Sequence, residues 1–342
     1  MKTLKFAGLA STLAVSALVL SACGGQTADP NSDALAGAVV VDGSSTVAPL
    51  TEAAADLFRD VEAGVNVTVA TSGTGGGIEK FCAGETDVAD ASRAIKDEEI
   101  TACADAGIDF TEIVIGNDGL AVVVPAANDF VQCLTVEQLA TIWGPAAEGT
   151  VTNWNQVDPS FPDVELALFG PGTDSGTFDY FTKEVNGEEG AIRTDYSPSE
   201  DDNVLVQGIS GAEGGLGFFG LSYVEENADL VRAVAVDSGN GCVEASETTV
   251  QDGSYSPLGR PLFIYVNNAS YAEKPQVKSF VDFYVENAAE AASLALLIGL
   301  TDEQIATAKD EFFVKFRYWL VSGGMMTRMA WGNCMRRNSC VR

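Results

Sequence analysis

The 342-residue chain contains no histidine, and its 19 lysine and arginine residues face 49 aspartate and glutamate residues, which gives a formal net charge of −30. Without histidine, the usual zinc ligand and the usual general base of a hydrolytic triad are missing. The acidic balance argues against binding to nucleic acid or to an anionic membrane surface through the general field of the protein. Any site for an anion must therefore act through local, short-range donors.

The N-terminus has the pattern of an export signal. A short basic start precedes an apolar stretch that is too short to span a bilayer, and Leu20-Ser-Ala-Cys23 follows it. This pattern predicts removal of residues 1–22, lipidation of Cys23 and a flexible tether over residues 23–36. A plain secretory signal with a chance cysteine is the alternative. We expect an exported chain, lipid-anchored at the outer face of the cytoplasmic membrane, in a periplasm or at the cell surface.

Export permits disulfides. Six cysteines follow Cys23, no two of them form a Cys-x-x-Cys motif, and many pairings are open. We favour Cys82–Cys103, which closes a local loop, and Cys133–Cys242, which ties two distant segments. Without a metal-binding spacing, we expect neither a metal nor another cofactor.

Apolar periodicity predicts alternating strands and helices along most of the chain. The predicted strands lie at 39–42, 65–71, 87–92, 113–124, 164–169, 214–220, 231–236 and 260–266, and the predicted helices at 47–60, 77–83, 97–106, 135–142, 204–209 and 274–289. This alternation indicates an α/β fold with both sheet faces covered. We interpret the apolar runs 113–124 and 260–266 as strands that cross between two lobes, with a cleft and a hinge between them.

Three strand-to-helix turns are rich in serine, threonine and glycine, and they lie within segments 39–46, 65–77 and 164–181. Such a turn directs free backbone N–H groups and the positive end of a helix dipole at one point, which favours an anion. Each turn alone could be an ordinary helix cap. Three together indicate donors that converge on one ligand. No Gly-Lys-Ser/Thr follows the glycines, so none of the turns is a nucleotide P-loop.

The C-terminal end differs in character. No acidic residue follows Glu311, and residues 312–342 contain 6 of the 19 basic residues and four of the five methionines. We interpret 312–342 as an atypical tail, either a non-native end such as a shifted reading frame produces or a tail that binds a partner or a membrane surface.

Four segments, in this order and spacing, resemble the phosphate-binding proteins of bacterial phosphate ABC transporters (PstS type). They are Asp42-Gly-Ser-Ser-Thr46, Thr71-Ser-Gly-Thr-Gly-Gly-Gly77, Asp87-Val-Ala-Asp-Ala-Ser-Arg93 and Thr173-Asp-Ser-Gly-Thr177. The resemblance covers about residues 38–310. It implies a type II periplasmic-binding-protein fold of two lobes, each a sheet flanked by helices. It also implies inorganic phosphate held dehydrated in the cleft, closure on binding, and delivery to a membrane permease.

The lobes that this resemblance implies have defined bounds. Lobe 1 comprises residues 37–116 and 262–311, and lobe 2 comprises residues 117–261. The neutral phosphate donors that it implies are Thr46, the Val47 backbone N–H, Thr74, Ser92, Ser175, Gly176 and Thr177.

The chain departs from the family pattern at two positions. Many members have arginine where this chain has Pro171, and some have aspartate where this chain has Arg93. We hypothesise that Arg93 supplies the cation and that a carboxylate accepts the proton of hydrogen phosphate. Asp174 is the first candidate for this acceptor, and Asp90 and Asp118 are the next candidates. Such an acceptor rejects a fully deprotonated oxyanion like sulfate.

Two of these residues have structural alternatives. Arg93 could form a surface ion pair with Asp90 or Asp97. Asp174 could complement the dipole at a helix N-terminus.

Three other functions compete with phosphate binding. A receptor for sulfate or molybdate would share the fold. A secreted serine hydrolase would need a Ser–Lys arrangement, and Lys80 and Lys183, the lysines nearest the turns, lack Ser-x-x-Lys spacing. An adhesive lipoprotein would leave the three donor turns unexplained. We expect a monomeric binding protein that is not an enzyme.

Overall fold

The computed structural model describes residues 35–173 and 175–321. The predicted signal peptide, Cys23 and nearly all of the tether lie outside the described residues. The helices are α1 (Ala48–Arg59), α2 (Gly73–Cys82), α3 (Asp97–Ala106), α4 (Val136–Trp143), α5 (Gly176–Asn186), α6 (Asp202–Ser210), α7 (Leu221–Glu226), α8 (Glu247–Gln251), α9 (Asn268–Glu273), α10 (Pro275–Glu286), α11 (Ala288–Leu294) and α12 (Asp302–Val321).

A mixed β-sheet runs through the molecule. Its strands are β1 (Gly37–Gly43), β2 (Val65–Ala70), β3 (Val88–Ala91), β4 (Phe110–Pro125), β5 (Cys133–Thr135), β6 (Ala167–Gly170), β7 (Ser197–Pro198), β8 (Gly215–Gly220), β9 (Val231–Asp237), β10 (Cys242–Val243) and β11 (Gly259–Asn267). The order is β2-β1-β3-β11-β4-β8-β6-β7, and β9 also pairs with β4, β5 and β10. Parallel pairs such as β1–β2 are joined by helices, as the alternating pattern predicts.

Two long strands connect the two halves of the sheet. The first half of β4 pairs antiparallel with β11, from Gly259 opposite Gly119 to Asn267 opposite Phe110, and its second half pairs with β8 and β9. One hydrophobic core contains the β4 residues Ile113 and Ile115, and another contains the β4 residues from Leu120 onward. Apolar residues at 113–115 and 120–124 allow β4 to be buried along both cores.

A local signal in the sequence explains where α4 starts. The Thr135 hydroxyl accepts the Gln138 N–H at 3.0 Å, and the Gln138 side chain accepts the Thr135 N–H at 2.9 Å, which is a capping box at the start of α4. The predicted helix 274–289 is divided into two helices, α10 and α11, because the helical conformation is interrupted at Asn287. The predicted start of a helix at residue 77 is wrong, since α2 begins at Gly73 and takes in the glycine-rich segment.

The predicted disulfides Cys82–Cys103 and Cys133–Cys242 are both present. Helix α12 continues through the predicted tail boundary at residue 312, and Phe312 is buried against the ring of Tyr271. The first ten residues of the predicted tail are therefore helical, and residues 322–342 lie outside the described part of the chain. Within the described residues, no helix is both long enough and apolar enough to cross a bilayer.

Candidate functional site

The first turn connects β1 to α1 and is closed by its own backbone. The Ser44 N–H donates to the Asp90 carbonyl at 2.9 Å, and the Val47 N–H donates to the Ser44 carbonyl at 3.2 Å. The Thr46 N–H donates to the Ser44 hydroxyl at 3.2 Å. These bonds hold the turn that carries Thr46 in place. The Thr46 hydroxyl faces Gly176 at the start of α5 and the side chain of Arg260. The Val47 N–H, a predicted donor, already has a carbonyl acceptor in this turn.

Helix α5 begins directly against this turn. The Ser175 hydroxyl accepts the N–H groups of Thr177 and Phe178 at 3.2 and 3.4 Å, which makes it the N-cap. A hydroxyl that accepts two bonds retains its own proton to donate. A Cβ on Gly176 would lie 2.6 Å from the Thr46 Oγ1, so only glycine permits this approach. The structure therefore brings Thr46, Ser175, Gly176 and Thr177 together.

The second turn and the fourth motif segment meet each other. The Thr74 and Ser92 hydroxyl oxygens are 3.2 Å apart, and the Ser92 N–H donates to the Thr74 Oγ1 at 3.2 Å. Thr74 follows β2 and Ser92 follows β3, the two strands that flank β1 in parallel, so both hydroxyls lie on the same edge of the sheet as Thr46. A Cβ on Gly77 would lie 2.4 Å from the Gly43 Cα, so glycine at 77 lets α2 pack against the first turn.

Asp42 links the first and second turns. Its Oδ1 accepts the N–H and the hydroxyl of Ser72 at 3.0 and 2.6 Å, and Lys80 donates to its Oδ2. Burial alone would raise the pKa of Asp42, but the hydrogen bonds from Lys80 and Ser72 outweigh it and lower the pKa below its ordinary value. The ionised carboxylate therefore fixes the start of α2, where Thr74 lies.

Sequence reasoning missed Arg260, which lies at the start of β11. Its Nη2 donates to the Thr46 hydroxyl at 3.2 Å, and its Nε and Nη2 donate to Asp118 Oδ2 at 3.1 and 2.9 Å. The guanidinium carbon stands 3.7 Å from the ring centroid of Tyr180 on α5. The available signal was an arginine and an aspartate in the two apolar runs that were predicted to cross between lobes. Their antiparallel register places them opposite each other.

Arg93, the predicted cation, has a different partner. Its two terminal nitrogens donate to the two carboxylate oxygens of Glu99 at 2.9 and 2.7 Å, and Nη1 also contacts the Ala94 carbonyl at 3.1 Å. The alternative of an ion pair with Asp90 or Asp97 named the wrong carboxylates. The guanidinium nevertheless lies near the second turn, 3.8 Å from where a Cβ on Gly75 would stand.

The three predicted proton acceptors have different positions. Asp174 lies outside the described residues. Asp90 is fully buried, and both of its oxygens lie 2.9 Å from the Thr51 hydroxyl, which is itself 2.9 Å from the Tyr284 hydroxyl. Burial raises the pKa of Asp90 to about 8. Its carboxyl group therefore faces the core, and among the described candidates Asp118 is the one that lies with Arg260 and Thr46.

A cavity of about 230 Å³ opens beside the site, and Thr46, Asp118, Gly176, Thr177 and Asp202 are among its lining residues. Burial and the neighbouring carboxylates Asp201 and Glu200 raise the pKa of Asp202 to about 6. A larger cavity of about 360 Å³ lies elsewhere, between β4 and α12, and its acidic lining disfavours an anion.

The two lysines that a serine hydrolase would need have other contacts. Lys80 forms an ion pair with Asp42, and the Lys183 Nζ donates to the Gly187 carbonyl at 3.3 Å. Ser175 is the cap of α5 and has no lysine among its hydrogen-bond partners in the described structure. The geometry therefore gives no support to a Ser–Lys nucleophile.

Comparison with known proteins identifies the class that this fold and site define. Residues 27–288 match the model of the PBP superfamily domain, so the chain is a member of that superfamily. The protein SphX of Synechocystis sp. is 46% identical over 80% of this chain and 82% of its own. The phosphate-binding protein PstS of Staphylococcus saprophyticus is 39% identical over 85% of this chain and 89% of its own.

A solved structure agrees with these relatives. A possible phosphate-binding protein from Planctomyces limnophilus is 40% identical, covers 81% of this chain and 98% of its own, and superposes with a TM-score of 0.75. The chain thus belongs to the family of bacterial phosphate-binding proteins that includes PstS and SphX. The predicted α/β fold of the two-lobe periplasmic-binding-protein class is confirmed.

Proposed function

We propose that this protein binds inorganic phosphate outside the cytoplasm and delivers it to the permease of an ABC transporter. The observation that carries the proposal is the convergence of hydroxyl-bearing turns at Thr46 and Gly176. The family relatives named for phosphate binding support the choice of ligand. The protein acts as a monomeric receptor and catalyses no reaction.

Phosphate is held without water by neutral donors at helix N-termini. The donors are the hydroxyls of Thr46, Thr74, Ser92, Ser175 and Thr177 and the backbone N–H of Gly176, whereas the Val47 N–H is already bonded to the Ser44 carbonyl. Helices α1, α2 and α5 begin at these turns, and their positive dipole ends favour an anion there. Neutral donors suit a chain of net charge −30, because they attract the ligand only at short range.

Binding closes two lobes over the anion. Lobe 1 comprises residues 37–116 and 262–311, and lobe 2 comprises residues 117–261. The separate hydrophobic cores along the first and second halves of β4 support this division. Strands β4 and β11 then form the crossing between the lobes, where a hinge needs only a few residues to change conformation.

The anchor keeps the receptor near its permease. Cleavage before Cys23 and lipidation of that cysteine would tether the fold to the outer face of the cytoplasmic membrane. One acyl group alone binds a membrane weakly, and stable anchoring takes a second one. The two disulfides support an oxidising, extracytoplasmic location.

Selectivity over sulfate comes from a carboxylate acceptor. Asp118, which lines the cavity beside Thr46, is the described candidate, and Asp174 is the other. A carboxylate accepts the proton of hydrogen phosphate and repels the fully deprotonated sulfate.

Calorimetric titration of residues 24–342, purified free of phosphate, tests the proposal. We call these residues the processed chain, since they lack the predicted signal peptide, and they also omit Cys23 to avoid lipidation. We expect saturable one-to-one binding of phosphate and no response to sulfate or molybdate. Binding of sulfate or molybdate in place of phosphate would keep the fold and overturn the ligand. Absence of binding by all three anions would overturn the receptor function.

A further inference from the structure

Arg260 belongs to none of the four motif segments, but it contacts two of them. Its Nη2 donates to the Thr46 hydroxyl at 3.2 Å, and its Nη1 lies 3.5 Å from the Ser92 carbonyl. Its side chain is only 13% exposed. Bonds from an ionised donor in a buried site are stronger than neutral ones. A guanidinium placed between Thr46 and Ser92 lies where the oxygens of a bound anion would be held.

Two neighbours fix the orientation of this guanidinium. A single oxygen of Asp118, Oδ2, accepts hydrogen bonds from both Nε and Nη2 of Arg260, and the Tyr180 ring packs against one face of the guanidinium. The Tyr180 hydroxyl in turn donates to the Pro257 carbonyl, three residues before Arg260. Among the residues that the structure describes, Nη1 has one long contact, to the Ser92 carbonyl, so this edge is available for a ligand oxygen.

Arg93 contrasts with Arg260 in this respect. The two terminal nitrogens of Arg93 both bond to Glu99, in the two-pronged geometry in which a guanidinium matches a carboxylate most closely. Glu99 also accepts the Lys96 N–H at 2.8 Å at the start of α3, so the pair is part of a helix terminus. Freeing Arg93 for an anion would break that pair.

We propose that Arg260 is the cation of the phosphate site and that Asp118 and Tyr180 position it. The inference rests on the proposed function and names the charge of that same site. The positive charge reaches the N-terminal end of α5 from β11 and stacks on Tyr180, five residues after Ser175.

The affinity for inorganic phosphate of the processed chain and four variants tests this assignment. Arg260→Gln removes the charge, Arg260→Lys keeps it without the planar fork, and Arg93→Gln tests the rival cation. Arg59→Gln is a matched loss of charge on the exposed side of α1. We expect phosphate binding weakened about 100-fold by Arg260→Gln and about tenfold by Arg260→Lys. The Arg93 and Arg59 variants should stay within about fivefold of the parent chain.

Four outcomes would overturn the assignment of Arg260. Arg260→Gln within about fivefold of the parent chain, or a larger loss in Arg93→Gln than in Arg260→Gln, would overturn it. Should Arg260→Gln fail to fold, Arg260→Lys against Arg93→Lys decides, because both keep the charge, and equal affinities would overturn the assignment. If the parent chain binds phosphate, such a result overturns only the assignment of Arg260. If the parent chain binds no phosphate, both the assignment and the proposed function are overturned.

A double variant distinguishes a ligand-binding cation from a merely structural ion pair. Asp118→Asn with Arg260→Gln replaces the pair by two neutral amides and leaves no unpaired buried charge. We expect this chain to unfold at a higher temperature than Arg260→Gln alone, while phosphate binding stays weakened by about 100-fold or more, because the double variant also lacks the proposed proton acceptor Asp118. Recovery of parent affinity in the double variant would show that Arg260 acts only by satisfying Asp118, and would overturn the proposal.

Discussion

The backbone of Gly176 lies so close to Thr46 that a Cβ on residue 176 would stand 2.6 Å from the threonine Oγ1 and 3.2 Å from the Ser45 Oγ. The two residues are 130 positions apart in sequence and belong to turns on either side of the crossing strands. This contact defines the distance between the first turn and helix α5. The spacing of the donor hydroxyls depends on a residue without a side chain.

Gly176→Ala should therefore weaken phosphate binding by about tenfold or more, because overpacking at this contact forces the two turns apart. Titration with phosphate measures the effect. Gly75→Ala is the matched control, since a Cβ there would lie at an ordinary contact distance of 3.8 Å from Arg93. Equal affinity of Gly176→Ala and the control would contradict the close approach.

Asp90 gives the protein a predicted dependence of stability on pH. Its pKa is about 8 in the folded chain and 3.8 as an ordinary carboxyl, because burial disfavours the charged form. Between these values the folded state holds a proton that the unfolded state has released. The free energy of unfolding therefore falls as pH rises from about 4 to about 8.

Asp90→Asn should remove this part of the pH dependence, because the amide does not titrate. Urea unfolding at pH 5 and at pH 8.5 measures it, and the difference between the two values should be smaller in the variant by a few kcal/mol. An unchanged difference would mean that Asp90 is ionised in the folded chain at pH 5. Asp56→Asn, at a side chain that is 70% exposed on α1, controls for general loss of charge.

The two disulfides should differ in their contribution to stability. Cys133–Cys242 spans 109 residues and Cys82–Cys103 spans 21. Loop-closure entropy gives about 4.8 kcal/mol for the longer loop and about 3.3 kcal/mol for the shorter one. Thermal unfolding of the paired serine variants, Cys133→Ser with Cys242→Ser and Cys82→Ser with Cys103→Ser, should show the larger loss in the first. A reversed order would show that strain or residual structure outweighs loop length.

Phe312 tests whether the end of the chain belongs to the fold. Its ring is 3% exposed and packs edge-on against Tyr271 at 4.9 Å, whereas its neighbour Phe313 is 44% exposed. Phe312→Ala should lower the free energy of unfolding by about 3–5 kcal/mol, as in a packed core. Phe313→Ala should change it by about 1 kcal/mol or less. Equal effects would mean that α12 does not dock on the core.

The sequence predicted the elements whose apolar pattern is long and regular. The helix at 97–106 and the strand that contains 113–124 follow directly from periodicity, and Cys82–Cys103 joins segments that the sequence already places close together. Helix α12 was missed because the change of composition at residue 312 resembles an ending. Helix formation depends on Phe312 and Tyr271 meeting in space, which no local pattern records.

The candidate site was predictable where donors lie in short motifs and unpredictable where they come from distant strands. Thr46, Thr74, Ser92 and Ser175 follow from the turns that contain them. Arg260 lies 214 residues after Thr46, and only the register of β11 against β4 brings it there. The departures from the family pattern at Pro171 and Arg93 favoured Arg93 as the cation, but its side chain pairs with the carboxylate of Glu99, six residues along the chain.

Equilibrium dialysis of the processed chain against radiolabelled phosphate tests the central claim most directly. The comparison is with a variant carrying Thr46→Val, Thr74→Val and Ser175→Ala, which removes one hydroxyl from each of the three turns at nearly constant volume. We predict one phosphate bound per parent chain and no measurable binding by a folded variant. Equal binding by both chains, or none by the parent chain, would contradict a phosphate site built from these hydroxyls.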